Sequence, residues 1–178
     1  MLHNEAGINQ PSSITQLGLS EEFAVGKYSG VFNGSTYITH PTFGDGSEAT
    51  ASFWIKDFNT SGQMVVFADA NSGLAFGPYS TYSCVSCRSG YNSQILTSVV
   101  NTYWKADDWN HVVVRKDKNN KYSCAINGNL IEPTTGDYWS HSTYCIVGAR
   151  YSSGYGRQTV GKIDDFRLYY TYLSDNDI

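Results

Sequence analysis

The chain has 178 residues, 40% hydrophobic and 16% charged, which fits one domain able to bury its own core without a disulfide or metal scaffold. A formal charge of -4, a pI near 5.4 and only 12 Lys and Arg provide no basic field for phosphates, so nucleic acid is not an expected partner. No apolar run is long enough to cross a bilayer, so membrane insertion is not expected either.

The 14 Tyr and 17 Gly, with Ser, Thr and Asn abundant, give an all-β profile, because Tyr and Thr suit pleated strands while Gly, Asn and Ser supply turns. Residues 1–22 are polar, carry Pro11-Ser12-Ser13 and show no strand pattern, so they are expected to form a leading arm or loop ahead of a domain over 23–178. Met1 to Leu17 lack the basic and apolar regions of a signal peptide. An extracellular role therefore needs a leader outside this sequence or another route, such as release of virus particles by lysis.

From residue 31 onward, short strand-like runs alternate with turn chemistry, and no stretch sustains a helical period. In order they are "VFNGSTYIT", "TASFWIKDF", "QMVVFAD", "LAFGP", "YSCVSCR", "QILTSVV", "WNHVVVRKD", "KYSCAING", "NLIEP", "YCIVGAR" and "TVGKIDDFRLYY". About a dozen strands in one domain predict a two-sheet sandwich or a closed barrel. Asn127-Gly128 between apolar runs predicts a type I′ turn, which makes residues 109–133 a three-strand meander. Val112, Val113 and Val114 are apolar on both faces, so their strand belongs mid-sheet and covered on both sides. Ile163 and Phe166 are three apart, so a strand that buries both must bulge or switch faces at Asp164-Asp165. That leaves Asp165 and Arg167 on one face, within reach of an ion pair. Ser174 followed by Asp177 reads as a capping box.

The cysteines are Cys84, Cys87, Cys124 and Cys145, too few to staple a chain of this length. Cys124 and Cys145 fall in step with Ile126 and Val147 and read as small core residues. A zinc set of Cys84, Cys87, His141 and Cys145 lacks two close-spaced pairs joined by a short connection, and reduced thiols are the simpler reading.

Four stretches carry a family resemblance. "VFNGSTYI" resembles an F-D/N-G-S-x-Y-V/I opening hairpin, and "ASFWIK" an S-x-W-V/I-K strand. "WNHVVVRKDKNNKYSCAINGNLI" is similar to a W-x-H-V-A-V meander closed by V-N-G, and the stretch from "VGARYSSGYG" to the end resembles an I-G-x…G-x-I-D-D/E-V-R-I-Y-x-x-A-L-S-x-x-E-I ending. Over residues 24 to 178 the series resembles the concanavalin A-like lectin/glucanase sandwiches, and within them the laminin-G-like jelly-roll domains. The resemblance implies an all-β, two-sheet antiparallel β-sandwich acting as a binding or attachment module of a longer extracellular or virion protein. The ending is also similar to laminin-G-like domains of bacteriophage tail and fibre proteins.

Some relatives of this fold are glycosidases, which place paired carboxylates on one strand. The E-x-D-x-x-E pattern is absent here, and the adjacent pairs Asp107-Asp108 and Asp164-Asp165 would point to opposite faces of a strand, so no enzyme is expected. Asp164 and Asp165 are expected to tie the last strand to a neighbouring loop, such as that of Asn33-Gly34. Some relatives bind calcium with loop carboxylates, and a Ca2+ ion would take Asp164 as its ligand. For ligand recognition the informative residues are aromatic ones in Gly- and Ser-rich loops: Tyr79, Tyr82, Trp139, Tyr151 and Tyr155, with Arg157 beside them. Rigid aromatic faces next to polar groups suit sugar rings and protein epitopes, so the expected partners are a glycan or cell-surface receptor and neighbouring domains of a longer chain. Other readings are a carbohydrate-binding domain appended to a glycoside hydrolase and a structural spacer in a fibre. His111, mid-strand, reads as a satisfied core histidine.

Overall fold

The period-two alternation of the sequence becomes strand wherever it is strongest. A computed structural model of the chain describes residues 13–15, 17–41, 48–57, 67–69, 74–79, 82–89, 93–95, 102–119, 122–131, 144–151, 155–156 and 158–178. The first strands are β1 (Ser13–Thr15), β2 (Gly18–Ser20), β3 (Ser29–Asn33), β4 (Tyr37–Pro41) and β5 (Ala49–Lys56). They are followed by β6 (Phe67–Asp69), β7 (Leu74–Tyr79), β8 (Tyr82–Ser89), β9 (Ser93–Ile95) and β10 (Asn110–Lys116). The chain continues through β11 (Tyr122–Ile126), β12 (Asn129–Ile131), β13 (Tyr144–Val147), β14 (Arg150–Tyr151), β15 (Tyr155–Gly156) and β16 (Val160–Tyr169).

Two seven-stranded sheets result among the described residues: a front sheet ordered β12-β11-β10-β5-β16-β3-β2 and a back sheet ordered β1-β4-β13-β6-β7-β8-β9. Strands β14 and β15 form a separate two-stranded ribbon. The pairings are antiparallel, as expected of a two-sheet sandwich.

The core lies on the inner face of the front sheet. Phe53, Ile55, Val112, Val114, Ile126 and Leu168 are all at most 3% exposed and meet Ile38 and Val147 from the back sheet. Phe53 and Phe166 stack with ring centroids 5.7 Å apart. Burying one such side chain contributes about 1.5–3 kcal/mol, so this layer is a main source of the sandwich's stability.

The meander forms as expected: β10, β11 and β12 are neighbours, and Asn127 and Gly128 adopt the positive φ values, 51° and 78°, of a type I′ turn. Strand β10 sits mid-sheet, with Val112, Val113 and Val114 each at most 1% exposed. Cys124 is a buried free thiol in the core, as its pattern predicts. The zinc set falls on side chains outside the described ones.

The bulge is present. Asp164 pairs with Trp54 and Arg167 with Ser52, so β16 holds one more residue than β5 across this interval, and Asp165 takes φ 46°. The extra residue lets both Ile163 and Phe166 face the core.

Two expectations are corrected. Residues 1–22 are not an arm throughout: Ser13–Thr15 pairs with β4, Gly18–Ser20 pairs with β3, and Leu17 packs on the core. Three-residue edge strands are too short for a period to show in sequence. Nor is "VFNGSTYI" a hairpin, because β3 lies in the front sheet and β4 in the back one. The turn is a corner between sheets. Asn33 Oδ1 accepts the Ser35 amide at 3.0 Å and the Thr36 hydroxyl at 3.0 Å, and Gly34 supplies φ 86°.

Candidate functional site

Along β5, β10 and β16, the residues that alternate with the core face outward: Ser52 and Trp54, then His111, Val113 and Arg115, then Arg167 and Tyr169. His111 is opposite Trp54 in register, and their rings lie 4.9 Å apart at 31°. The Ser52 hydroxyl and His111 Nε2 share a hydrogen bond at 2.9 Å. Burial holds the His111 pKa below its ordinary value; the Asp165 charge opposes this and the Arg167 charge adds to it. Burial thus favours the uncharged imidazole. Beside it, Arg167 Nε donates to both Asp165 oxygens at 3.0 Å. This bond, followed by one that Arg167 donates to Tyr169, raises the Arg167 pKa above its ordinary value.

The segment after β16, residues 170–178, folds back over this outer face as a strap. Thr50, fully buried, donates its hydroxyl to the Thr171 carbonyl at 2.8 Å and accepts the Leu173 amide at 3.1 Å. Arg115, 1% exposed, donates through one terminal nitrogen to the Leu173 carbonyl at 2.8 Å and to Asp175 at 2.7 Å. Its Nε donates to Ser123 at 3.0 Å, and its guanidinium lies 4.6 Å from the Tyr172 ring centre. The expected capping box closes a 3-10 turn at Asp175–Asp177: the Ser174 amide donates to Asp177 at 3.0 Å and its hydroxyl at 2.6 Å. These bonds, the hydroxyl's first, lower the Asp177 pKa.

Strap and sheet enclose a hollow of about 230 Å3. Ser52, His111, Asp165 and Arg167 line it from the sheet, and Leu173, Asp177 and Ile178 from the strap. Its groups can donate and accept hydrogen bonds next to the ring of Tyr169. The Ser52–His111 contact has the form of a nucleophile and base, but Asp165, the nearby carboxylate that would orient the base, is engaged by Arg167 on both oxygens. That arrangement suits recognition better than acyl transfer.

Asp164 has a different role from Asp165. It is 2% exposed; its Oδ2 accepts the amides of Ala24 at 2.9 Å and Val25 at 2.8 Å, and its Oδ1 accepts the Asp165 amide at 2.8 Å. The loop it ties down is thus 24–25, not 33–34. N–H donors directed at both oxygens fit an anchor, and they occupy three of the roughly four lone-pair positions on which a calcium ion would draw. Among the described residues no group of three or more His, Cys, Asp or Glu can hold a metal ion. At the edge of the same loop, Glu22 pairs with Lys56 and Lys162, and Lys162 also pairs with Asp57. The hydrogen bonds from Lys162 and then Lys56 lower the Glu22 pKa to about 2.

The residues expected to touch ligand fall elsewhere. Tyr79 and Tyr82 oppose each other where β7 turns into β8, and Tyr151 and Tyr155 oppose each other in the β14–β15 ribbon. The structure therefore brings each pair together in register. Trp139 and Arg157 lie outside the described residues. The outer-face cluster of Ser52, His111 and Arg167 was missed in the sequence as a site, although the alternation His111, Val113, Arg115 beneath the valine run places these residues on one face.

A family model described as the concanavalin A-like lectin/glucanases superfamily, of laminin G type, matches residues 32–178. Among curated proteins none matches the chain in sequence. Among solved structures, domain 4 of AbnA, a GH43 extracellular arabinanase from Geobacillus stearothermophilus in complex with arabinotriose, is similar with TM-score 0.67 and 16% identity. That match covers 92% of this chain and 79% of the other. The binding domain of Paraclostridial Mosquitocidal Protein 1 is similar with TM-score 0.67, 14% identity, and coverage of 94% and 45%. The botulinum neurotoxin serotype D binding domain gives 0.63, 16%, and coverage of 95% and 45%. This chain thus spans under half of either toxin domain. At such identities the likeness shows the fold.

Proposed function

The chain belongs to the concanavalin A-like lectin/glucanases superfamily, and from that premise we propose that it is a non-catalytic recognition module for a glycan or a glycan-bearing cell surface. The observation that carries this reading is the outer-face hollow, where His111, the Asp165–Arg167 pair and Ser52 present hydrogen-bonding groups beside Tyr169. Sugars are bound by convergent polar groups with an aromatic face near them. The cross-strand pairs Tyr79–Tyr82 and Tyr151–Tyr155, with Trp139 and Arg157, are proposed as a second contact area for a longer ligand. The parent is a larger extracellular or virion structural protein, with this chain as one of its domains. No helix among the described residues is long and apolar enough to cross a membrane.

A second reading, a carbohydrate-binding domain appended to a glycoside hydrolase, draws on the arabinanase domain. This chain covers 79% of that domain, against 45% of the toxin domains. A glycan array that includes arabinotriose, read with the unsubstituted chain and with Arg167→Gln, tests both readings. Retention on some glycan that drops about tenfold or more in the variant, the loss of a charge-assisted hydrogen bond, is the expected result. Retention unaffected by Arg167→Gln but lost in Tyr151→Ala/Tyr155→Ala moves the site to the ribbon. No retention on any glycan or host surface leaves the module a spacer and overturns the proposal.

A further inference from the structure

The hollow under the strap is unevenly charged, and the imbalance bears on the kind of sugar it takes. The charged or titratable groups that line it include His111, Asp165, Arg167 and Asp177. Arg167 donates through Nε to both Asp165 oxygens, and its Nη2 lies 3.0 Å from one of them, so these two charges cancel. Burial favours the uncharged form of His111. Arg115, the other cation under the strap, does not line the hollow and is met by Asp175. Asp177 is therefore the charge left over, and among the described residues the lining carries a net negative charge.

Asp177 also has an oxygen to spare. Both bonds that it accepts, from the Ser174 amide at 3.0 Å and the Ser174 hydroxyl at 2.6 Å, fall on Oδ2. Among the described residues Oδ1 accepts no hydrogen bond, and no cation pairs with this carboxylate. The Ser174 bonds lower its pKa, the hydroxyl's first, which favours the ionised form. The capping box thus orders the turn and also fixes an unpaired carboxylate beside a cavity, which is preorganisation for a ligand that can use it.

Size and chemistry narrow the choice. At about 230 Å3 the hollow is smaller than the roughly 300–1,000 Å3 of sites for drug-sized ligands, so it suits one sugar ring. The Ser52 and Tyr169 hydroxyls on its walls can donate to and accept from ring hydroxyls. An ammonium group has three N–H donors and no acceptor, so it matches the open Oδ1 of Asp177 better than a hydroxyl does, while the carboxylate of a uronic acid would be repelled. We propose that the hollow recognises an amino sugar, a single hexosamine unit whose protonated amino group meets Asp177 while Ser52 and Tyr169 take its hydroxyls. This rests on the glycan reading of the same hollow and adds to it the class of glycan.

The test titrates the whole chain, at neutral pH and low salt, with the methyl glycosides of glucosamine, glucose and glucuronic acid and with their galacto counterparts, read by amide chemical shifts. In one of the two series the amino sugar should bind about fivefold tighter than the parent sugar, the upper end for an ion pair with one exposed partner, and the uronic acid more weakly than either. The advantage should shrink in high salt and vanish in Asp177→Asn, which removes the charge but keeps an oxygen for the Ser174 bonds. It should persist in Asp107→Asn, the same change of charge at an exposed residue that does not line the hollow. Equal binding of the three forms, a preference for the uronic acid, or an advantage that survives Asp177→Asn overturns the proposal and leaves the glycan reading in place. Binding of none of the six sugars overturns it too, and the glycan reading then stands or falls on the array alone.

Discussion

Two segments are pinned to the outer face of the front sheet, and each is held by one buried charge. The N-terminal loop, residues 21–28, hangs on Asp164; the C-terminal strap, residues 170–178, hangs on Arg115. Asp164 is surrounded by backbone amides, whereas Arg115 reaches a carbonyl, a hydroxyl and an exposed carboxylate, and its second terminal nitrogen has no partner among the described residues. A carboxylate satisfied by fixed N–H groups is an efficient anchor, because removing it strands every donor. An imperfectly paired buried guanidinium holds its segment in place while adding little to global stability, since desolvation offsets much of the attraction.

The largest effect should come from Asp164→Ala. It leaves the amides of Ala24, Val25 and Asp165 without an acceptor beneath the loop, and a cost of about 3 kcal/mol is expected from urea denaturation. Asp164→Asn should recover only part of this, because its amide group would turn N–H toward N–H. If Asp164→Ala costs no more than a surface substitution, the anchor reading fails.

Arg115→Met should behave differently. It removes the strap's fastener but also removes a charge with an unpartnered nitrogen, so the global cost is expected to stay within about 1 kcal/mol. Hydrogen exchange of the Leu173 amide and its neighbours should rise at the same time, while that of β10 stays slow. A loss as large as that of Asp164→Ala would make the two clamps equivalent and erase the contrast.

Smaller still is Ser174→Ala, which removes the hydroxyl that donates to Asp177. Caps of this kind contribute about 0.5–1 kcal/mol, and here the effect should be confined to fraying of the turn at Asp175–Asp177. Since Asp177 and Leu173 line the hollow, ligand affinity should fall with it even where the melting temperature does not.

The two clamps were unequally legible in the sequence. The spacing of Ile163 and Phe166 forces an irregularity at Asp164-Asp165, so the bulge, the Asp165–Arg167 pair and a tie to some loop could all be read from the chain. Which loop could not, because the contact spans 140 residues and depends on how the first strands join the sheet. Arg115 left no local signal of burial: it follows three valines, and a charged residue after an apolar run reads most simply as the exposed end of a strand. Its burial comes from the strap above it, with Thr50 and Ser123 on the flanking strands. The hollow was hidden for the same reason. Its residues come from β5, β10, β16 and the strap, and linear spacing shows such a set only after the register is known. The aromatic loops were visible because composition is local, and the register then paired Tyr79 with Tyr82 and Tyr151 with Tyr155.

The mildest probe of the N-terminal loop is acid. Glu22, at the rim of the N-terminal loop, has its carboxyl lowered from 4.5 to about 2 by hydrogen bonds from Lys162 and then Lys56. A carboxyl depressed on folding binds protons more weakly in the folded state than in the unfolded chain. Its contribution is therefore complete above pH 4.5 and is lost as pH falls to about 2. The group is solvent-exposed, so its share of global stability is small and should shrink further in high salt. The local consequence is easier to read. Between pH 4.5 and 2 the Lys162 and Lys56 contacts weaken, so the outer edge of the loop should loosen. Amide shifts of Glu22 that titrate below pH 4 and disappear in Glu22→Gln would establish that these ion pairs hold the edge. Shifts that persist unchanged in Glu22→Gln would mean that another group controls it.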